Sequence, residues 1–79
     1  MSTFTNINVL KPGDLLKFQY TNDPDAEYKW HYAIVLEVGE GNVSVLECNY
    51  GDNCIIKYGN IHYMDEMTRY STPFYYSVQ

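Results

Sequence analysis

The chain is short of positive charge. Its 79 residues carry five basic side chains, Lys11, Lys17, Lys29, Lys57 and Arg69, against ten acidic ones, for a net charge of −5 and a pI near 4.6. The five are scattered along the sequence. Binding to a phosphate backbone needs clustered Lys and Arg, so direct nucleic-acid binding is not expected. Cysteine is scarce too. Two residues, Cys48 and Cys54, are too few for a disulfide scaffold. They flank a short turn, so a bridge between them is geometrically possible, but reduced thiols in a cytosolic compartment are the expectation. No apolar run approaches the roughly 18 residues of a membrane-spanning helix, and no charged-then-apolar leader opens the sequence. The expected setting is therefore cytoplasmic, away from membranes. Length leaves room for one domain, residues 1–79. It excludes a doubly wound nucleotide-binding sheet or a barrel of alternating strands and helices. A domain of this size buries only about 60 % of its unfolded surface, so its core is small.

Tyrosine is abundant: nine Tyr, with three Phe and one Trp. Tyr suits half-buried β-surfaces and recognition surfaces, because it joins apolar area to a polar tip. Nine cannot all be interior in so small a domain, and three or four are expected to be partly exposed.

The pattern along the chain is β-rich. Residues 1–9 are weakly patterned and read as a lead-in strand or loose arm. Lys11-Pro12-Gly13-Asp14 fits a type II turn, with Gly13 where positive φ is required. Leu16, Phe18 and Tyr20 then alternate with Lys17 and Gln19, as in a half-buried strand. Residues 21–28 form an acidic loop around Pro24. Residues 30–38 (WHYAIVLEV) are the strongest strand signal, with Tyr32, Ile34, Leu36 and Val38 on one face and His31, Ala33, Val35 and Glu37 on the other. Apolar character on both faces marks a central strand. Gly39 to Asn42 makes a hairpin turn, residues 43–48 return, residues 49–53 turn again, and residues 54–58 form a third strand. Apolar residues at 61, 64 and 67 are spaced three apart, which predicts one or two helical turns over 61–69 with Asn60 as N-cap. A closing strand is expected over 74–78. The expected fold is all-β with a minor helix: a small SH3-like antiparallel barrel of about five short strands, whose closure would remove free edges.

Three motifs occur in order: Pro12-Gly13-Asp14-Leu15-Leu16, His31-Tyr32-Ala33-Ile34-Val35, and Glu47-Cys48-Asn49. Together, over residues 11–58, they resemble the second half of a CHAP domain, a papain-like cysteine amidase or endopeptidase of the NlpC-type superfamily that cuts peptidoglycan. The resemblance implies His31 as general base and Glu47 or Asn49 as the polar group that orients it, following triad logic. The chain departs from that family in two ways. The family's nucleophilic Cys lies on a helix well before the Pro-Gly-Asp turn, and here no Cys precedes Pro12. Trp30 also replaces the family's usual Gly. Asn53-Cys54 resembles the Asn-Cys motif of the permuted lecithin–retinol acyltransferase branch, but lies in a β-rich run rather than opening a helix. The Pro-Gly-Asp turn and the following hairpin are similar, too, to stand-alone SH3-like barrels of phage genomes.

Residue by residue, the simplest expectations are structural. His31 reads as a strand-end histidine, hydrogen-bonded or solvated, since a base without a nucleophile has no task. Glu47 is in phase with Val43 and Val45, which would turn it inward toward Lys57 or His31. An exposed strand-end glutamate is the simpler reading. His62 with His31 and Asp65 makes a weak set of metal ligands without a spacing motif, so neither metal nor cofactor is expected. Asp23, Asp25 and Glu27 lack the glycine and ligand spacing of a calcium loop.

The resulting expectation is a non-catalytic, acidic, Tyr-rich module that binds a protein partner, such as a basic host enzyme. Tyr28, Trp30, Tyr32, Tyr50 and Tyr63 would be its anchors and Asp23, Asp25, Glu27 and Asp52 its polar rim. A phage-encoded inhibitor of a host nucleic-acid-binding or defence enzyme, working in the host cytoplasm, fits that description. The alternatives are a fragment or remnant of a CHAP-like amidase and a virion assembly adaptor.

Overall fold

The turn at Lys11–Asp14 sets the start of the sheet. In the computed structural model, which describes residues 2–26, 29–48 and 55–77, Gly13 has φ +92° and the Asp14 N–H donates to the Lys11 carbonyl at 3.1 Å. These are the marks of the expected type II turn. The turn is pinned to the sheet by two bonds: Gly13 N–H to the Val35 carbonyl at 2.8 Å, and Val35 N–H to the Asp14 carbonyl at 2.9 Å. Asp14 is buried. Its carboxylate accepts from the Lys11 N–H at 3.0 Å and from the Lys11 ammonium at 3.2 Å, and that ammonium also donates to Ser77. The Pro-Gly-Asp motif thus serves folding.

Among the described residues six strands follow in sequence: β1 (Ser2–Phe4), β2 (Leu15–Gln19), β3 (Trp30–Val38), β4 (Asn42–Cys48), β5 (Ile56–Tyr63) and β6 (Phe74–Ser77). A 3-10 turn, Ile7–Val9, follows β1, and one helix, α1 (Met64–Met67), follows β5. The strands form one antiparallel sheet in the order β1-β6-β2-β3-β4-β5. The fold is a small, all-β, barrel-like sheet, as the alternation predicted. β1 supplies a sixth strand. It and β5 end the order without pairing to each other among the described residues, so edges remain that closure would have removed.

Alternation decides what enters the core. Leu16 and Phe18 of β2, Ala33 and Val35 of β3, Val43 and Val45 of β4, and Tyr75 of β6 point inward and are buried. Ile7, Leu10 and Met67 complete the cluster. Each large side chain so buried stabilises the fold by roughly 1.5–3 kcal/mol before chain entropy is counted. β3 is central, between β2 and β4, as its pattern requires.

The stretch after residue 54 corrects the sequence reading. β5 runs to Tyr63 instead of ending near Tyr58, and the helix is confined to Met64–Met67. Asn60 is a strand residue, not an N-cap; Tyr63 holds the cap position, with its N–H donating to the Glu66 carboxylate at 3.0 Å. The three-residue spacing of Ile61, Met64 and Met67 was coincidental. Ile61 faces solvent on the strand, and only the two Met belong to the helix, with Met67 buried. Backbone pairing of Asn60 to Tyr63 with Asn42 to Val45 outweighs a weak local helical signal. At Gly59 (φ +82°) an extra residue bulges between the pairs Val45–Asn60 and Leu46–Tyr58. A glycine takes that left-handed conformation without strain.

Cys48 is disulfide-bonded, contrary to the expectation of reduced thiols. Cys54 lies outside the described residues.

Candidate functional site

Three inward-facing polar residues interrupt the core at one end of the sheet. His31 lies on β3, Glu47 on β4 and His62 on β5. His31 is in phase with Ala33 and Val35, and Glu47 with Val43 and Val45; His62 shares the inward phase of β5 with Asn60, beyond the bulge at Gly59. His31 and Glu47 are buried, and the His62 side chain is 15 % exposed.

Glu47 is the hub. Its Oε1 meets Nε2 of His31 and, at 2.7 Å, Nε2 of His62. Its Oε2 accepts from the side-chain amide of Asn60. On its far side, His62 Nδ1 lies 3.2 Å from the Glu66 carboxylate on α1. Phe18 sets its ring edge-on to both imidazoles, with centroids 5.3 and 5.1 Å away. Phe18, Tyr20 and Asn60 complete the walls of a cleft around the cluster.

Burial pushes the Glu47 carboxyl up. The hydrogen bonds from His31, Asn60 and His62, with the charge of His62, outweigh it and hold the group below the usual glutamate range. A carboxylate only accepts hydrogen bonds, so each contact calls for an N–H. His62 faces two carboxylates, Glu47 from Nε2 and Glu66 from Nδ1.

The structure therefore joins His31 to Glu47, the two positions matched to the amidase triad, and corrects the picture of Glu47 as an exposed strand-end residue. His31 is its partner; Lys57, opposite in register, is exposed. The structure also adds Asn60, which the sequence suggests as an N-cap, and joins His62 to Glu47, whereas the sequence groups His62 only with His31 and Asp65. The period-two run Asn60, His62 was the signal that could have found them. Asp65 is exposed on α1, while Glu66 makes the His62 contact.

The outer face of the sheet has a different character. Leu15, Ile34, Leu46 and Tyr58 stand in one register row across β2, β3, β4 and β5. Ile34 and Tyr58 are exposed, as are the nearby Tyr32, Ile56, Ile61 and Tyr63. Of the expected anchors, Tyr32 and Tyr63 thus lie on this face. Trp30 is half-buried beside Phe74, with the Lys17 ammonium 4.8 Å from its ring centroid. Asp23 and Asp25 sit on an exposed loop, where Asp23 accepts from the Asp25 N–H at 2.9 Å. Tyr28, Tyr50, Glu27, Asp52 and Asn49 lie outside the described residues. Tyrosine exposure exceeds expectation: Tyr20, Tyr32, Tyr58, Tyr63 and Tyr70 are all exposed.

Comparison with protein-family models, curated proteins and solved structures finds no match to this chain.

Proposed function

We propose that this chain is a non-catalytic binding module that engages a protein through the outer face of β3, β4 and β5. The observation that carries this reading is the apolar row Leu15, Ile34, Leu46 and Tyr58, flanked by the exposed Tyr32, Ile56, Ile61 and Tyr63. Contiguous exposed apolar area is a feature of interaction surfaces, and Tyr is an efficient anchor within them. Among the described residues β5 ends the sheet order, which adds an edge to the same face. The net charge of −5 favours a basic partner and fast, salt-sensitive association. Inhibition of a host nucleic-acid-binding enzyme by a phage-encoded protein is the finer form of this reading, and the acidic balance is its support.

The test is affinity capture with the wild type and with an Ile34→Asp/Tyr58→Asp double variant. Both sites are exposed, so the variant should fold with its melting temperature nearly unchanged. A partner held by the wild type, released by the variant and weakened by salt supports the reading. A partner retained equally by both removes the outer face from the function.

A second reading rests on the contact between His31 and Glu47, the pair matched to base and orienting group in CHAP-like amidases. Among the described residues the cleft around them is lined by no cysteine. This reading therefore requires a nucleophile from elsewhere. Hydrolysis of purified peptidoglycan by the wild type, lost in His31→Ala, would favour it over the binding module.

A further inference from the structure

We propose that His31, Glu47 and His62 form a binding site for a divalent transition-metal ion of the zinc type. The ligand atoms are Nε2 of both histidines and Oε1 of Glu47, and all lie within 4.8 Å of one another. Metal–ligand bonds of about 2.0–2.2 Å set the ligands of one tetrahedral ion about 3.3–3.6 Å apart, so the two imidazoles would draw back slightly from Glu47 Oε1 to admit it. Two imidazoles and one carboxylate suit zinc and its first-row neighbours. Calcium and magnesium prefer all-oxygen shells.

The surroundings suit such a site. The Glu66 carboxylate lies 3.2 Å from Nδ1 of His62, on the side of the ring away from Glu47. Donation of Nδ1–H to Glu66 makes the Nε2 lone pair of the neutral ring available to an ion shared with Glu47 Oε1, 2.7 Å away. A carboxylate behind a metal-ligating histidine is a common supporting arrangement, which fixes the tautomer and raises the basicity of the ring. Asn60 holds the other oxygen of Glu47, so that carboxylate is oriented too. Phe18 packs edge-on against both rings and limits their rotation. The ligand atoms border a cleft, where a bound ion could also meet water or a small anionic ligand.

The probe is Zn2+ alone, titrated calorimetrically into the chelator-treated 79-residue chain, with Co2+ as a visible-absorption substitute. The expected result is one Zn2+ per chain and visible Co2+ bands. Glu66→Gln is half-exposed and should stay folded by circular dichroism. It should weaken Zn2+ binding by about 10-fold or more, because it removes the charged partner of Nδ1. His62→Gln should abolish stoichiometric binding and the Co2+ bands. Failure of the wild type to take up Zn2+ would overturn the proposal and identify the cluster as held by protons alone. Uptake unchanged in a folded Glu66→Gln or His62→Gln would overturn it as well. None of these outcomes depends on the outer-face reading.

Discussion

His62 Nε2 lies 2.7 Å from Glu47 Oε1 although the two residues are not paired across their strands. His62 is paired with Val43, and Glu47 with Lys57. Side chains that point into a bent sheet converge over its inner face, so residues offset along neighbouring strands come together there. His31 reaches the same oxygen from the other side, from a strand in which Ala33, not His31, is paired with Glu47. One buried carboxylate thus ties together β3, β4, β5 and, through His62 and Glu66, α1.

That role sets the cost of removing it. Glu47→Ala strands two imidazoles and the Asn60 amide without their acceptor. Leaving a buried hydrogen-bonding group without its partner typically costs about 1–3 kcal/mol. For a domain whose total stability is on the order of 5–10 kcal/mol, the expected outcome is a large fall in urea midpoint with the cooperative transition retained or nearly lost. A change below about 0.5 kcal/mol, the size typical of an unremarkable surface site, would mean that the cluster contributes no net stability.

Asp14 makes the fold acid-sensitive. Burial pushes its carboxyl up, but the Lys11 N–H, the Lys11 ammonium and the Ser77 hydroxyl outweigh this and hold it below the ordinary value of 3.8. The folded chain therefore binds this proton less readily than the unfolded one. Its stabilising contribution is complete above the unfolded value and is lost as pH falls through the lower folded value. Glu47, also lowered, acts in the same direction. Unfolding free energies measured from pH 7 to pH 2 should decline below about pH 4. Asp14→Asn should be less stable at pH 7 and show a shallower acid decline. Identical acid slopes in the two proteins would rule out Asp14 as a source of the effect.

Gly59 controls which side of β5 faces inward. Its φ of +82° accommodates the bulge after which Asn60 and His62 turn toward Glu47. A Cβ at Gly59 would meet nothing within 4 Å, so the penalty for Gly59→Ala comes from the backbone alone. That penalty is about 1 kcal/mol, and thermal melting should show it as a shift of several degrees. A variant as stable as the wild type would indicate that the bulge tolerates an ordinary residue. The imidazole signals of His62 in an NMR spectrum would report whether the phase of the strand is kept.

Local pattern determined the strands and turns of this protein. Residues 30–38 carry β-branched and apolar side chains on both faces, which marks β3 as a central strand, and the Pro12-Gly13 pair needs no partner to specify its turn. Alternation along β4 put Glu47 in phase with Val43 and Val45. Only the tertiary structure decided that this phase buries a charge, because burial depends on what the neighbouring strands supply. Residues 60–63 offered the sequence two periods at once, and a four-residue window cannot choose between them. Pairing with β4 chose the strand, and the bulge at Gly59 turned His62 inward. The cluster at Glu47 depends on register and bend between strands far apart in sequence, which no local spacing encodes.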